Sequence, residues 1–188
     1  MRIGILSDTH VPEAPILFPE ILEALAGVDV ILHAGDITIS LVLDELERVA
    51  PVIAAQGNHD SHLAGDPRVE RLQHLEFEGH TVALLHLFDP PTSDFATLSH
   101  RFLGGAQPDI VVCGDSHQER IDVIDGVLVI NPGSATLPRN RSPRLGHVAF
   151  LTLERGRPPE ASIVDLGEPD WRDHPSRRAG RAGDDGLD

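Results

Sequence analysis

Five short apolar runs, each ended by a polar turn, constrain the fold of this chain more than any other feature. They are Ile3–Leu6, Val28–Leu32, Val52–Ala55, Val82–Leu85 and Ile110–Cys113. Runs of this length, rich in β-branched residues and bounded by Gly, Asp and Asn, read as buried strands. The residues that follow them are Asp8-Thr9-His10, Gly35-Asp36, Gly57-Asn58-His59-Asp60, His86 and Gly114-Asp115-Ser116-His117. Strand ends that deliver Asp, Asn and His to what could be one rim have the layout of a metal-dependent hydrolytic site.

Between the first three runs the apolar spacing becomes helical. Phe18, Ile21, Leu22 and Leu25 recur at helical intervals over Phe18–Ala26. Leu41, Leu43, Leu46 and Val49 do so after Ser40, a candidate cap, until Pro51 stops the pattern. Strand–helix–strand alternation calls for parallel strands with right-handed crossovers. The second half is richer in strands. Leu75–Glu78 and Thr81–Leu85 flank a turn at Gly79-His80, and Arg120–Ile124 and Val127–Ile130 flank Asp125-Gly126. Ser93–Phe102 reads as a helix, and His147–Leu153 and Ala161–Val164 as further strands. Many strands and few helices predict an α/β protein of two stacked sheets with helices on the outer faces. From Gly167 periodicity and apolar anchors disappear, apart from Trp171. Residues 1–166 therefore read as one domain and 167–188 as a disordered tail.

With 188 residues the chain has room for a full hydrophobic core. No apolar run approaches the roughly 20 residues of a membrane helix, and the chain opens in a strand rather than a secretory signal. Cys113, the only cysteine, excludes an internal disulfide, and a reducing, cytoplasmic setting is the default expectation. A net charge of −15 argues against binding duplex nucleic acid. It also repels a phosphate substrate unless bound divalent cations reverse the local sign.

The candidate site residues have distinct chemistry. Asp8 and His10 can present a carboxylate and an imidazole to one ion from a tight turn. Asp36 reads either as a carboxylate bridging two ions or as a helix N-cap. Gly57 permits a sharp turn, Asn58 offers a neutral carbonyl oxygen, and His59 offers a nearby proton donor. Residue 115 and His117 close the constellation from a later strand. His33 reads as a core residue or a support for the site, Asp60 as a supporting turn residue, and His62 as a solvated loop residue. His74, His80, His100, His147 and His174 read as surface residues, and Cys113 as a small buried hydrophobe. Asn131-Pro132-Gly133-Ser134 reads as a turn beside the site whose amides could meet phosphate.

In this order the motifs resemble those of the calcineurin-like metallophosphoesterases. The Asn131–Ser134 segment is similar to that of the small bacterial and archaeal phosphodiesterase branch, so the resemblance spans nearly the whole folded part. It implies a four-layer α/β/β/α sandwich of two mixed sheets flanked by helices. It implies that Asp8, His10 and His117 hold one divalent ion, that Asn58, His86 and Asp115 hold a second, and that Asp36 bridges them. The implied activity is hydrolysis of a small or nucleotide-like phosphodiester by attack of a metal-bridging hydroxide. His59 is then the catalytic residue that stabilises the transition state or protonates the leaving oxygen. Mn²⁺ is the expected ion, with Mg²⁺, Ni²⁺, Fe²⁺, Co²⁺ or Zn²⁺ as substitutes. The expected partner is a small phosphoester rather than duplex nucleic acid or a membrane, and a homo-oligomer is compatible with the family.

Two positions depart from the family pattern. Residue 115 is normally His, and here it is Asp. Asp115 either ligates the second ion through oxygen, a harder site that favours Mn²⁺ or Mg²⁺ over Zn²⁺, or reaches it through water. His86 is followed by Leu87 where Gly is usual. Protein phosphatases of the superfamily also carry a downstream Asp and an Arg that grips the monoester. Here Ile37-Thr38-Ile39-Ser40 follows Asp36 and no Arg occurs before Arg48, which favours a diester. Two alternatives stand beside this reading. One is a protein-binding scaffold like the retromer subunit of this fold, against which His10, His59 and His117 argue. The other is a phosphomonoesterase or nucleotidase.

Overall fold

The first three apolar runs form parallel strands β1 (Arg2–Leu6), β2 (Val30–His33) and β3 (Val52–Ala55). The structure, a computed structural model, describes residues 1–11, 17–89, 94–102, 104–138 and 144–167. Helix α1 (Pro19–Ala24) starts on a proline whose fixed φ suits a first turn, and it buries Ile21 and Ala24. Helix α2 (Ser40–Glu47) buries Val42, Leu43 and Leu46. Ser40 is its first helical residue rather than its cap; Ile39 holds the cap position without a side-chain hydrogen bond.

The segment Ser61–Arg71, which lacks any periodicity, contains a 3₁₀ turn at Ser61–Leu63 and the two-residue strand β4 (Val69–Glu70), parallel to β3. After it come β5 (Leu72–Phe77), β6 (His80–Leu85), α3 (Phe95–Phe102), β7 (Ile110–Val112), β8 (Glu119–Ile124) and β9 (Val127–Pro132). Strands β10 (His147–Thr152) and β11 (Glu160–Asp165) return to the first sheet. The strand orders are β11-β10-β1-β2-β3-β4 and β5-β6-β7-β9-β8, with both pairing directions in each sheet.

Asp94 caps α3, accepting from the Thr97 N–H at 2.6 Å and the Thr97 hydroxyl at 2.9 Å. The hairpin turns are Glu78-Gly79, with φ of 52° and 83°, and Asp125-Gly126, with φ of 51° and 83°. Positive φ at both positions is the I′ geometry that matches strand twist. The first turn thus lies one residue before the Gly79-His80 position expected from the pattern.

Alternation along the strands creates four layers. Ile3, Ile5, Val30 and Leu32 point between the sheets, against Val82, Leu84, Ile110, Val112 and Ile130. Their neighbour Ile31 points the other way, into a cluster with Ile21, Leu25, Leu43 and Leu46 of the α1 and α2 region. On the far side Ala83, Val111 and Val129 pack with Phe95 and Leu98 of α3. Each fully buried Leu or Ile contributes about 1.5–3 kcal/mol. The expected α/β/β/α sandwich is borne out. The expected tail, apart from Gly167, lies outside the described residues, and no described helix is long and apolar enough to cross a membrane.

Candidate metal centre

Every candidate site residue lies just past the C-terminal end of a parallel strand, the edge at which open α/β sheets bind ligands. The first sheet supplies Asp8 and His10 after β1, Asp36 after β2, and Asn58 and His59 after β3. The second supplies His86 after β6 and Asp115 and His117 after β7. The site therefore straddles the two sheets. Its backbone is unusual. Asp8, His10, Asp36, Asp115 and His117 all have φ between 45° and 67°, in the left-handed region that L-residues avoid. Among the described non-glycine residues, the only others there are Thr38 and the hairpin residues Glu78 and Asp125. Such strain costs on the order of 1–3 kcal/mol per residue and persists where surrounding structure enforces it. Here enforcement comes from main-chain bonds that continue past the strands: Asp8 N–H to Gly35 O at 2.9 Å, His10 N–H to Asp36 O at 3.1 Å and Gly114 N–H to His86 O at 2.9 Å.

These turns bring all eight side chains together. His117 Nε2 lies 3.4 Å from Asp8 Oδ1 and 3.2 Å from His10 Nε2. His10 Nε2 lies 3.5 Å from Asp36 Oδ2, and His59 Nε2 lies 3.9 Å from the same oxygen. Asp36 Oδ1 faces the other way, 3.5 Å from His86 Nε2, which is 3.7 Å from Asp115 Oδ1. Asn58 donates its amide N–H to Asp115 Oδ1 at 3.2 Å. Donor atoms converge within 4.8 Å in three groups: Asp8, His10 and His117; His10, Asp36 and His59; and Asp8, Asp36 and His86. The second group includes His59, so its imidazole is placed among the possible ligands as well as at the rim. Asp115 belongs to none of these groups, although it reaches His86.

The hydrogen bonds fix which atoms face inward. His86 Nδ1 donates to Ala34 O at 2.7 Å, and His117 Nδ1 donates to Leu137 O at 2.6 Å. Both rings therefore turn Nε2 towards the centre, the arrangement by which metal-binding histidines are commonly held. Asp8 Oδ2 accepts the Asp115 N–H at 3.1 Å, while Asp8 Oδ1 and His86 Nε2 are buried with no hydrogen-bond partner. Buried polar atoms without partners are costly, so native proteins seldom keep them without a purpose. Burial pushes the Asp8 carboxyl up to about 6 despite the Ser7 hydroxyl and nearby histidines. Burial would also raise Asp36, but His86 and the His59 N–H outweigh it and hold that carboxyl far below the usual range. At His86 burial is outweighed by Asp36 and Asp8, which raise the imidazole to about 9. Burial lowers His10. Carboxylates and imidazoles thus share charge tightly, a donor set suited to hard or borderline divalent cations.

A surrounding set of residues holds the turns. Asp60 accepts three main-chain N–H groups, from Ile37 and Thr38 at 2.9 Å each and from Gly57 at 2.8 Å, which confirms its supporting place in the turn. His33 accepts the Gly35 N–H at Nδ1, so its Nε2 carries the proton facing the Thr9 hydroxyl at 3.2 Å; burial drives this imidazole down to about 4. Asn131 donates to Gly114 O at 2.7 Å and Ser134 to Asp8 O at 2.7 Å. The Asn131–Ser134 segment thus braces two site turns, and the Gly133 and Ala135 N–H groups are engaged inside the protein rather than free for phosphate. Gly57 is required by close approach: a Cβ there would sit 2.2 Å from both Asp36 N and Asp36 Oδ1. His147, expected at the surface, is instead largely buried, 3.8 Å from both Glu119 and Asp165. Cys113 is buried as expected, and burial raises its thiol to about 12.

His33 supports the site and Asn131–Ser134 packs beside it, as the sequence suggested, but the bracing role of Thr9 and the partners of all four residues were not legible. Only the topology brings Thr9 to His33, or Ser134 to Asp8, and no local spacing signals either contact.

Comparison with known proteins agrees with this geometry. Residues 1–156 match the calcineurin-like phosphoesterase superfamily domain. A probable metallophosphoesterase of Methanothermobacter thermautotrophicus is 38% identical over 182 residues, covering 95% of this chain and 100% of that protein. A phosphodiesterase of Methanocaldococcus jannaschii is 29% identical over 145 residues, 71% of this chain and 83% of its own length. Among solved structures, a novel archaeal phosphodiesterase superimposes with a TM-score of 0.62 at 22% identity, over 87% of this chain and 100% of that one. Vps29 from Chaetomium thermophilum superimposes with a TM-score of 0.67 at 14% identity, over 89% and 97%. The structural matches speak to the fold. With the sequence matches they place the chain in a family of metal-dependent phosphoester hydrolases: it belongs to the calcineurin-like phosphoesterase superfamily.

Proposed function

We propose that this protein is a phosphodiesterase that works with two divalent cations. Asp8, His10 and His117 would hold one, Asn58, His86 and Asp115 the other, and Asp36 would lie between them with one oxygen towards each. The observation that carries this reading is the pair of buried, unpartnered atoms, Asp8 Oδ1 and His86 Nε2, in a cluster whose other donors converge with them. Bound divalent cations supply charge neutralisation at phosphoryl oxygens and lower the pKa of a nucleophilic water.

The chain's own groups do the remaining work. Asp8 and Asp36 hold negative charge in a largely dry setting, which lets an anionic protein accept cations and then an anionic ester. His59 is exposed at the rim, with its N–H tied to Asp36 Oδ1 at 3.0 Å. Its imidazole can therefore reach a leaving oxygen and give it a proton, a contribution typically of about 10²–10⁴ in rate. The Asp36 and Asp115 oxygens, 3.5 and 3.7 Å from His86 Nε2, favour Mn²⁺. No arginine lies in the Asp36–Ser40 stretch to grip a dianionic monoester, which favours a diester monoanion. The relative named as a phosphodiesterase supports the same preference. A reducing, cytoplasmic setting fits the single buried thiol.

The test is hydrolysis of bis(p-nitrophenyl) phosphate and p-nitrophenyl phosphate by chelator-stripped protein before and after Mn²⁺ is restored. We expect turnover only with the metal, and a higher kcat/KM for the diester. A reversed preference would make the protein a phosphomonoesterase. No turnover with any divalent ion, in protein shown to be folded, would overturn the enzymatic reading.

A further inference from the structure

Beside the metal centre lies an open cleft of about 580 Å³, within the size range of small-molecule sites. Its wall is partly the centre itself, Asn58 and His86, and partly apolar, Leu72, Leu85 and Leu87; its one arginine is Arg71. Leu87 is 61% exposed at the rim of this cleft, so its side chain is open to a bound molecule.

Arg71 is placed by both sheets at once. It is the single residue between β4 and β5, where the chain crosses from the first sheet to the second. On one side Glu70 pairs with Ala55, and Glu70 O accepts the Gln56 N–H at 2.8 Å, so Arg71 stands level with Gln56, which leads into the Gly57-Asn58 turn. On the other side Leu72 pairs with Leu85, and the same antiparallel register carried one residue further sets Arg71 opposite His86. Its backbone is thus pinned between two turns of the metal centre.

Among the described residues the side chain is also uncommitted: Arg71 is exposed, and no ion pair or hydrogen bond to a described residue engages it, in a chain of net charge −15. Other arginines are engaged: Arg68 by Asp44, Glu47 and Asp66, Arg48 by Glu45, and Arg157 by Glu154. A smaller cavity on the other side of Leu87 also has an arginine, Arg120, but Asp122 occupies it at 2.5 Å. A free guanidinium held beside a phosphoryl-binding centre is suited to a second anion with oxygens in a plane or tripod.

We infer that Arg71 and the Leu72–Leu85–Leu87 wall form a subsite for the non-scissile arm of the substrate, and that this arm carries a second phosphate. The substrate class is then a phosphodiester bearing a further phosphomonoester, as on a nucleoside or sugar. This inference rests on the phosphodiesterase reading and deepens it.

The test compares two chromogenic diesters that differ only in that group: thymidine 5′-(p-nitrophenyl phosphate) and its 3′-phosphorylated form. With Mn²⁺, we expect kcat/KM to favour the 3′-phosphorylated ester by about 10- to 100-fold, the range of a charge-assisted contact. Arg71→Gln should reduce that ratio to near 1 and Arg71→Lys should retain part of it. Arg155→Gln, which changes net charge equally at a distance, should leave the ratio as it is. Calorimetry with thymidine 3′,5′-bisphosphate and thymidine 5′-phosphate reads the same preference as binding, and Arg71→Gln should remove it. A wild-type ratio near 1, or a preference that survives Arg71→Gln, overturns the subsite. If neither ester turns over, the phosphodiesterase reading fails, and the calorimetric preference still decides whether Arg71 binds the second phosphate.

Discussion

Asp115 is one of the two positions at which the sequence reads as departing from the family pattern, and hydrogen bonds and close contacts surround it in the structure. Its Oδ1 accepts the Asn58 amide and lies 3.7 Å from His86 Nε2, while its own N–H binds Asp8. The carboxylate therefore turns an oxygen towards His86, where a histidine would offer nitrogen. Asp115→His is expected to keep or raise diester hydrolysis and to shift the preferred ion from Mn²⁺ towards Zn²⁺; loss of metal binding in that variant would contradict this account. Asp8 carries a different prediction. Its folded value of about 6 lies above the 3.8 of an unfolded chain. The stability it contributes is complete below about pH 4 and is lost as the pH rises through about 6. At pH 7, metal-free Asp8→Asn should therefore melt a few degrees higher than metal-free wild type. The gap should close towards pH 4, and the variant should gain a smaller thermal shift from Mn²⁺ than wild type. A lower melting temperature at pH 7 would show that the buried carboxylate is not a cost accepted for ligand binding.

Single turns decide whether the donors meet. The Gly57 turn packs against Asp36 so closely that Gly57→Ala must push that carboxylate or its backbone aside. We expect Mn²⁺ affinity and diester kcat/KM to fall by about 10- to 100-fold, as when the supports of a metal ligand are disturbed. Secondary structure should be unchanged by circular dichroism, and unaltered metal affinity would contradict the geometry. At this scale the sequence was largely legible, because the strands near the site are short, apolar and closed by Gly, Asp or Asn. Legibility failed where local chemistry was weak. Strand β4 has two residues and no period to read. The first hairpin turns on Glu78-Gly79, and Glu is a poor signal for a left-handed turn position, so the pattern pointed to Gly79-His80. The bracing contacts of His33 with Thr9, and of Ser134 with Asp8, join residues 24 and 126 apart in sequence and exist only once the sheets are assembled.

Across the whole molecule, the candidate site depends on two sheets ending at one rim. The first sheet brings Asp8, His10, Asp36, Asn58 and His59; the second brings His86, Asp115 and His117. Neither sheet alone holds a complete donor set, so the core between Ile3, Ile5, Leu32 and Val82, Leu84, Val112 also sets the spacing of the site. A chain of net charge −15 gathers Asp8, Asp36 and Asp115 at that rim and leaves Arg71 free beside them. On the proposed reading, cations must bind before an anionic ester approaches. The most direct measurement is a calorimetric Mn²⁺ titration of metal-stripped protein, with diester hydrolysis followed on the same samples. Two ions per chain, with activity rising as the second site fills, is the predicted result. Full activity at one ion per chain, or hydrolysis indifferent to Mn²⁺, would contradict a two-cation centre.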